Sequence, residues 1–480
     1  MGTGETVLWI ASLAIFAFFV LYGLSTFLLI LISLVEATLT RIERGELFSP
    51  PFRVQRPGVS LIAPAYNMEP LIVASARSLL ASDYEPLEVV IVDDGSDDGT
   101  TAALRPAFDL IELPVGDRLP IATAPVERIY VSRTDPRLRV VRKQNGGRPD
   151  AINAGLNIAR NELVAMVDAD TLLEADALKR CVEVFAGDPD DVVAVGGNIR
   201  IANGSLIENH VVISPRVPHS GVEASQTGEY LRGFLGGRIA WSRLNGLLII
   251  SGAFGVFRRD VLRMTGGLST QTLGEDMELV MRLHHQLRPG SPGTRIAYAA
   301  DANAWTEIPN SLAPLRGQRI RWHVGLLDNL WIHRGMIGRG RYGAVGLLAL
   351  PYTLLTEVVG PLLQTLGYAI VIFLAVRGQV SWWYALAFLA VPILVGQLQT
   401  AGALLIEEVG FRRYRNRDLM LLGAWSLVEL LWYRPLTAVW RIWATALVVT
   451  GRRPGWGTIP RGAAFHEEPE LELVPAPLPR

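Results

Sequence analysis

The chain has 480 residues, half of them hydrophobic and only 19% charged. Soluble domains carry about 25% charged residues, so neither an all-soluble array of domains nor a wholly disordered chain fits. The net charge of −1 excludes a globally basic nucleic-acid binder, and the one cysteine, Cys181, excludes both an intrachain disulfide framework and a cysteine-clustered zinc site.

What remains is a membrane protein with a large aqueous domain. Val7–Val35 is apolar apart from a few small hydroxyl residues, longer than the ~20 residues needed to cross a bilayer. It lacks the basic leader and short apolar core of a cleaved signal peptide, so it is read as a retained anchor. Arg41, Arg44, Arg53 and Arg56 follow it. The positive-inside rule then puts Met1 outside and the next domain in the cytoplasm, with a bacterial inner (plasma) membrane as the expected location.

From Ser60 to about Arg341 no uninterrupted spanning segment occurs, and the pattern is that of an α/β domain. Val59–Tyr66 reads as a buried strand ended by turn residues, Leu71–Leu80 as a helix and Leu87–Val92 as a second strand. A strand–turn–helix unit of this kind belongs to an open parallel sheet, whose ligands sit beyond the carboxyl ends of the strands. Asp93-Asp-Gly-Ser-Asp-Asp-Gly-Thr100 stands at such an end. Its acids can accept hydrogen bonds from a nucleoside, or can simply form a polar turn.

After an irregular stretch from Pro106 to Pro136, a third strand is expected at Leu138–Arg142. Lys143-Gln-Asn-Gly-Gly-Arg-Pro-Asp150 then leads into a helix over Ala151–Ala159. Two glycines with Lys143 and Arg148 at a helix start suit a diphosphate, or a loop of solvated cations. The apolar strand Leu163–Val167 aims Asp168-Ala-Asp170 at its end. Residues i and i+2 on extended backbone point the same way, so both carboxylates can face one Mg²⁺ or Mn²⁺ shared with substrate phosphates.

Leu273-Gly-Glu-Asp-Met-Glu-Leu279 opens a further helix. Acids in a first turn are favoured by the helix dipole alone, and alternatively Asp276 is a general base for an incoming hydroxyl. On the amphipathic stretch after Pro314, Gln318, Arg321 and Trp322 share one helical face. That face offers a guanidinium for diphosphate and an indole for a sugar ring, or else anchors an interfacial helix.

Hydrophobicity returns at Ala344–Val376, Trp382–Ile406 and Leu419–Val449, and the basic connection Phe411–Arg417 is expected in the cytoplasm. The last block, with Arg434-Pro435 in its middle, is read as one span followed by an interfacial helix. Four spans then place Arg452 and Arg453 outside, against the charge rule. Glu357, Gln364, Gln397 and Gln399 lie inside these apolar blocks, as the lining of a polar path or as ties between helices. The expected organisation is a transmembrane helix at 1–40, an aqueous domain at 59–341, transmembrane and interfacial helices at 342–450, and a disordered acidic, proline-rich tail at 464–480.

Taken in order, Asp93-Asp94-Gly95, Asn145-Gly-Gly-Arg148, Asp168-Ala-Asp170, Gly274-Glu-Asp276 and Gln318-Arg-Ile-Arg-Trp322 resemble the membrane-embedded family 2 glycosyltransferases of GT-A fold. Among these the chain looks most like the poly-N-acetylglucosamine synthases, with chitin, hyaluronan and cellulose synthases further away. The ending Gly451-Arg-Arg-Pro-Gly-Trp456 is also similar to that first group.

The resemblance implies a Rossmann-like cytosolic GT-A domain inserted between transmembrane helices, with interfacial amphipathic helices. It also implies an inverting, metal-dependent transfer from a UDP-sugar (UDP-GlcNAc or UDP-Glc) that extends and translocates a β-linked polysaccharide. Residue by residue, Asp276 is the implied catalytic base, and Asp170 with Asp168 holds Mg²⁺ or Mn²⁺. Ala63, Tyr66, Asp94, Arg148, Asp168, Gln318 and Arg321 are implied to bind the nucleotide donor, and Trp322, Ser251, Gly252 and Glu275 the acceptor. The partners are the UDP-sugar, a growing glycan or lipid-linked acceptor, the bilayer and accessory export subunits, with no nucleic acid. Two alternatives stand beside this reading: a transferase adding one sugar to a lipid carrier, and a non-catalytic nucleotide- or glycan-binding export component. The family often has Lys where Arg148 stands, and several of its members have two amino-terminal spans where one is seen here.

Overall fold

The structure is a computed structural model that describes residues 3–45, 56–116, 120–208 and 210–452. The tail expected at 464–480, and the Gly451–Trp456 ending beyond residue 452, lie outside the described residues.

The strands in chain order are β1 (Val59–Ala65), β2 (Leu87–Asp94), β3 (Leu110–Leu113), β4 (Val126–Ser132), β5 (Leu138–Lys143), β6 (Leu163–Val167), β7 (Leu172–Leu173), β8 (Val192–Ile201), β9 (Leu206–Glu208), β10 (Val211–Ser214), β11 (Phe254–Arg258) and β12 (Arg295–Thr306). Ten of them form one mixed sheet in the order β3-β4-β5-β2-β1-β6-β11-β8-β12-β7, and β9 and β10 form a separate hairpin. The central run β5-β2-β1-β6 is parallel throughout, so the segments after these four strands emerge along one edge. Register fixes their neighbours: Ala65 lies beside Asp93, and Asp94 beside Lys143.

These strands are near-continuous runs of Val, Ile, Leu and Ala because both faces are covered. Leu61, Val89, Ile91 and Val140 turn to one face, against the helices Ile72–Leu80 and Ala177–Gly187. Ile62, Val90, Val92 and Val141 turn to the other, against the helices Arg148–Ile158 and Glu275–Leu287. The stretch 106–136, expected to be irregular, instead contributes β3 and β4, which extend the sheet with β4 antiparallel to β5 and β3 antiparallel to β4. Glu112, Glu127 and Arg128 face solvent on these two strands, as an edge allows, and they interrupt the apolar run that would mark a buried strand.

Among the described residues three helices are long and apolar enough to cross a membrane: Thr6–Ile42, Val345–Val376 and Trp382–Phe411. The first belongs to a continuous helix Thr3–Gly45, whose far end packs Ala37 against the domain side with Leu235 and Ile239. Among the described residues the expected fourth span has no helix of membrane-crossing length. Leu419–Val449 is split between the helices Asn416–Glu429 and Tyr433–Val449, of about 21 and 26 Å at 1.5 Å per residue, each short of the hydrocarbon core. Polar anchors explain the break. Glu429 is almost fully buried at the end of the first helix and pairs with Arg232 (2.8 Å) and Arg434 (2.7 Å). Tyr433, Trp440 and Ala444 pack on Leu315, Ile320 and Val324 of the helix Leu312–Ile332.

The domain and the membrane helices meet at a buried ion pair. Arg200, 1% exposed at the end of β8, donates to Glu407 at 2.9 Å, and Glu407 has no exposed surface. Asn303 accepts a second Arg200 hydrogen bond at 2.7 Å, and the guanidinium lies 5.8 Å from the centroids of both the Trp305 and Tyr414 rings. The backbone N–H of Arg413 donates to the other Glu407 oxygen at 2.8 Å. Removing one partner of such a pair strands a buried charge. Glu407→Ala is therefore expected to lower unfolding stability by about 3–5 kcal/mol, and Arg200→Met with Glu407→Leu to recover much of it; chemical unfolding in detergent checks both.

Candidate active site

The turns after β1 and β2 are laced together. Ser96 Oγ accepts from Asn67 N at 2.9 Å, Asn67 Oδ1 accepts from Asp97 N at 2.9 Å, and Thr100 Oγ1 accepts from Met68 N at 2.8 Å. Tyr66 stands out from this turn, 42% exposed, with its hydroxyl donating to Asp97 at 3.4 Å. Ala63 does not reach a ligand surface. The strand continues two residues beyond it, and its side chain lies fully buried in the sheet core.

Asp93 and Asp94 are both buried. Asp93 accepts from Ser96 N at 2.9 Å and from the Thr101 hydroxyl, capping its own turn. Asp94, 4% exposed, accepts from Lys143 Nζ at 2.6 Å, Gly146 N at 3.0 Å and Gly147 N at 2.8 Å. Asp94 thus presents almost no surface to a uridine and instead shapes the glycine loop. Lys143 is wholly buried between Asp94 and Asp150 (2.6 Å to each), so it is not free for a diphosphate. Gly147 holds φ at +84°, a conformation glycine accepts readily, and this delivers the chain into the helix that begins at Arg148.

Arg148 is the junction of the site. Its Nε donates to Asp168 Oδ1 at 2.7 Å, Nη1 to Glu275 Oε1 at 2.8 Å and Nη2 to the Gly252 carbonyl at 2.6 Å. Burial opposes the charge, but Asp168, Glu275 and Asp276 outweigh it and hold the guanidinium protonated. Glu275 was expected to face the acceptor; the structure buries it, 5% exposed, on Arg148. Burial raises its pKa, Arg148 opposes the rise and Asp276 reinforces it. Asp276 itself is half-buried: Gly252 N donates to its Oδ2 at 3.1 Å and Met277 N to its Oδ1 at 2.8 Å. Arg148, Ser251, Gly252 and Asp276 line one crevice. A side chain at Gly252 would lie 2.9 Å from Arg148 Nη2, so glycine there lets the guanidinium reach the carbonyl.

Asp168 and Asp170 follow β6 with Ala169 turned into the core between them, so both acids lie on the outer side. Among the described residues no group of three or more His, Cys, Asp or Glu is placed to hold a metal ion. Two oxygen-donor acids suit a hard divalent cation whose remaining ligands come from substrate phosphate and water rather than an all-protein cage.

The helix Leu312–Ile332 is locked to the Gly274 turn. Gly325 and Gly274 meet backbone to backbone: a Cβ on Gly325 would lie 2.8 Å from Gly274 N. Buried Asn329 donates to the Gly274 carbonyl at 2.7 Å and accepts from Thr272 Oγ1 at 3.1 Å. On this helix Gln318 Oε1 is buried without a hydrogen-bond partner, and burial lowers the Arg321 pKa. Trp322 is 48% exposed. Arg319, by contrast, is structural, bonded to Glu229 at 2.8 Å beneath the Trp322 ring.

Sequence reasoning missed the aromatic neighbours of Trp322. Tyr230 lies 6.5 Å from its ring and stacks on Phe234 at 5.6 Å, one helical turn on. Arg238 lies over Phe234, and burial lowers its pKa while Tyr298 and Asp276 oppose the shift. The Tyr230–Phe234 spacing is the one signal that marks this segment in the sequence. Because the Gly274–Gly325 contact leaves no room for a methyl group, Gly325→Ala is expected to cost about 1–3 kcal/mol of unfolding stability. Thermal unfolding of the variant in detergent checks this.

The family model for glycosyl transferase family 2 matches residues 60–265, and that for glycosyl transferase family group 2 matches residues 163–398. The chain is 29% identical over 270 residues to the poly-β-1,6-N-acetyl-D-glucosamine synthase of Staphylococcus aureus (strain COL), covering 56% of this chain and 54% of that one. It is 27% identical over 279 residues to the synthase of the same name from Staphylococcus epidermidis, covering 57% of each. The match thus spans little more than half the length of these relatives. A mannosyltransferase from Pyrobaculum calidifontis, solved in complex with GDP-Man and Mn²⁺, shares the fold with a TM-score of 0.53 at 20% identity, over 89% of this chain and 99% of that one. With the parallel sheet, the acidic strand ends and both family matches in agreement, the chain carries a family 2 glycosyltransferase domain over residues 60–265.

Proposed function

We propose that the chain is an inverting synthase that extends a β-linked polysaccharide from a UDP-sugar, with UDP-N-acetylglucosamine the first donor to test because the relatives named above make poly-β-1,6-N-acetyl-D-glucosamine. One observation carries the reading: Asp276 is tied through Gly252 and Arg148 to Asp168, and through Gly274 to the helix bearing Gln318, Arg321 and Trp322. General base, metal-side acid and donor-binding face therefore belong to one hydrogen-bonded unit.

Asp168 and Asp170 would hold Mg²⁺ or Mn²⁺, which when bound neutralises charge developing on the departing diphosphate. Arg321 and the unpartnered Gln318 carbonyl meet the donor's polar groups. Trp322, extended by Tyr230, gives the acceptor sugar an aromatic floor. Asp276 takes the proton from the acceptor hydroxyl as its oxygen attacks the anomeric carbon from the side opposite UDP, and configuration inverts. The Gly252 N–H and the helix N-terminus orient the carboxylate for that step.

A polar line favours polymer export over single transfer to a lipid. Beneath Trp322, Arg319 meets Glu229, which accepts from Tyr433 OH at 2.5 Å. Further along the Tyr433–Val449 helix, Arg441 pairs with Glu357 at 2.9 Å, and Gln399 donates to Tyr22 OH at 2.8 Å. Gln397, bonded at both ends to Ser426, is a tie between helices, and Gln364 donates to Tyr368 within its own helix. With three spans and the basic Arg412–Arg417 segment in the cytoplasm, Arg452 falls on the cytoplasmic side as well, and the conflict with the charge rule disappears.

The test is purified full-length chain in lipid with Mg²⁺ or Mn²⁺, offered UDP-N-acetylglucosamine, UDP-glucose and UDP-glucuronate in turn. Expected are UDP release and long products from one donor, with turnover lost by a factor of about 10²–10⁴ in Asp276→Asn while nucleotide binding persists. Addition of a single sugar to a lipid would overturn the polymerase reading. UDP binding without turnover of any donor would overturn the enzymatic one. Arg148→Lys keeps the charge but at most part of the three-way contact, and is expected to lower kcat/KM roughly tenfold or more; steady-state kinetics with the accepted donor check it.

A further inference from the structure

Away from the catalytic residues, a cavity of about 620 Å³ opens between the turn at 216–219 and the first turn of the helix Asn416–Glu429. Arg216, His219, Glu223, Arg417, Asp418 and Leu421 line it. Glu223 is committed, accepting from Asn203 at 2.7 Å. Among the described residues neither Arg216 nor Arg417 has an ion-pair partner. Asp418 is 7% exposed, and its Oδ2 lacks any hydrogen-bond donor. A buried carboxylate oxygen without a donor is costly and signals a missing partner. A simple anion would satisfy the arginines and aggravate Asp418, and a simple cation would do the reverse. A phosphodiester joined to a group bearing N–H or O–H donors satisfies both. Two helices, Gly221–Leu231 and Asn416–Glu429, begin at the rim, and their N-terminal dipoles favour negative charge there.

The neighbouring hairpin indicates where such a ligand comes from. On β9 and β10, Ile207 and Val212 pack inward with Leu172 and Trp305. Leu206, Val211 and Ile213 face outward, 41%, 54% and 54% exposed. Arg415, just beyond the third membrane-length helix, donates to Ser214 at 3.2 Å and fastens the hairpin beside the point where that helix ends. An apolar strand face at that level, flanked by arginines, suits the headgroup zone of a bilayer.

We propose that this cavity binds a phospholipid headgroup, with the phosphodiester between Arg216 and Arg417 and an ethanolamine-type ammonium donating to Asp418. The experiment is native mass spectrometry of the full-length chain released from nanodiscs containing equal phosphatidylethanolamine and phosphatidylcholine, with and without soluble glycerophosphoethanolamine. The ethanolamine lipid is expected to be retained in preference, because a choline ammonium has no N–H to give. Arg216→Ala with Arg417→Ala should lower retention about tenfold, and Asp418→Asn should remove the preference between the two lipids. Should the double variant fail to fold, Leu421→Phe fills the cavity from its apolar wall and is expected to exclude the lipid. Equal retention of both lipids by the unaltered chain, or undiminished retention in the arginine or Leu421 variants, overturns the proposal. Full displacement by glycerophosphoethanolamine at equimolar concentration overturns the membrane source and leaves a soluble phosphodiester as the ligand.

Discussion

One guanidinium sets the geometry on which the site depends. Arg148 spends each of its terminal donors on a different segment, and Glu275, one of its partners, lies 127 positions away in the chain. A planar fork has fixed angles between its N–H bonds, so three good contacts determine where the strand β6, the Gly252 turn and the helix Glu275–Leu287 stand relative to each other. A lysine carries the same charge on a rotatable point and would leave those angles undetermined. The buried Glu275 supplies the arginine with a second carboxylate, and the absence of a side chain at Gly252 opens its path to the carbonyl.

The parallel core was readable because its signals are local. Runs such as Leu163–Val167 end directly in acids, and the structure begins and ends that strand where the pattern does. The helix after Lys143 starts at Arg148, slightly earlier than expected, because Pro149 serves as its first-turn residue. What the sequence concealed depends on partners far along the chain. Nothing near Asp94 announces that Lys143, 49 positions later, will bury it, and nothing near Glu275 announces Arg148. Tyr230, Phe234 and Arg238 sit on a segment without a recognisable motif and gain meaning only when Trp322 is brought against them. The split of the last apolar block was hidden for a similar reason, since Glu429 and Arg434 find their partners on helices that sequence spacing does not bring together.

These long-range partners change how the molecule divides. A boundary near residue 341 separates compositions, yet several buried or part-buried polar contacts cross it: Arg200 with Glu407, Arg232 with Glu429, and Glu229 with Tyr433. The helix Leu312–Ile332 is packed on the Gly274 turn along one side and on Tyr433, Trp440 and Ala444 along another. The face carrying Gln318, Arg321 and Trp322 is therefore supported from both sides of the apparent boundary.

That shared support bears on how such a protein can diversify. A catalytic half taken from a relative and grafted onto these helices would confront Glu407, Glu429 and Tyr433 with surfaces selected for other neighbours, and each mismatch would leave a buried acid or hydroxyl unanswered. Recombination at the compositional boundary is thus penalised at several points at once. Variants are passed on most readily when the exchanged segment carries Arg200, Glu229 and Arg232 together with the carboxyl-terminal helices, so the two halves travel as a single heritable block even though hydropathy draws a line between them.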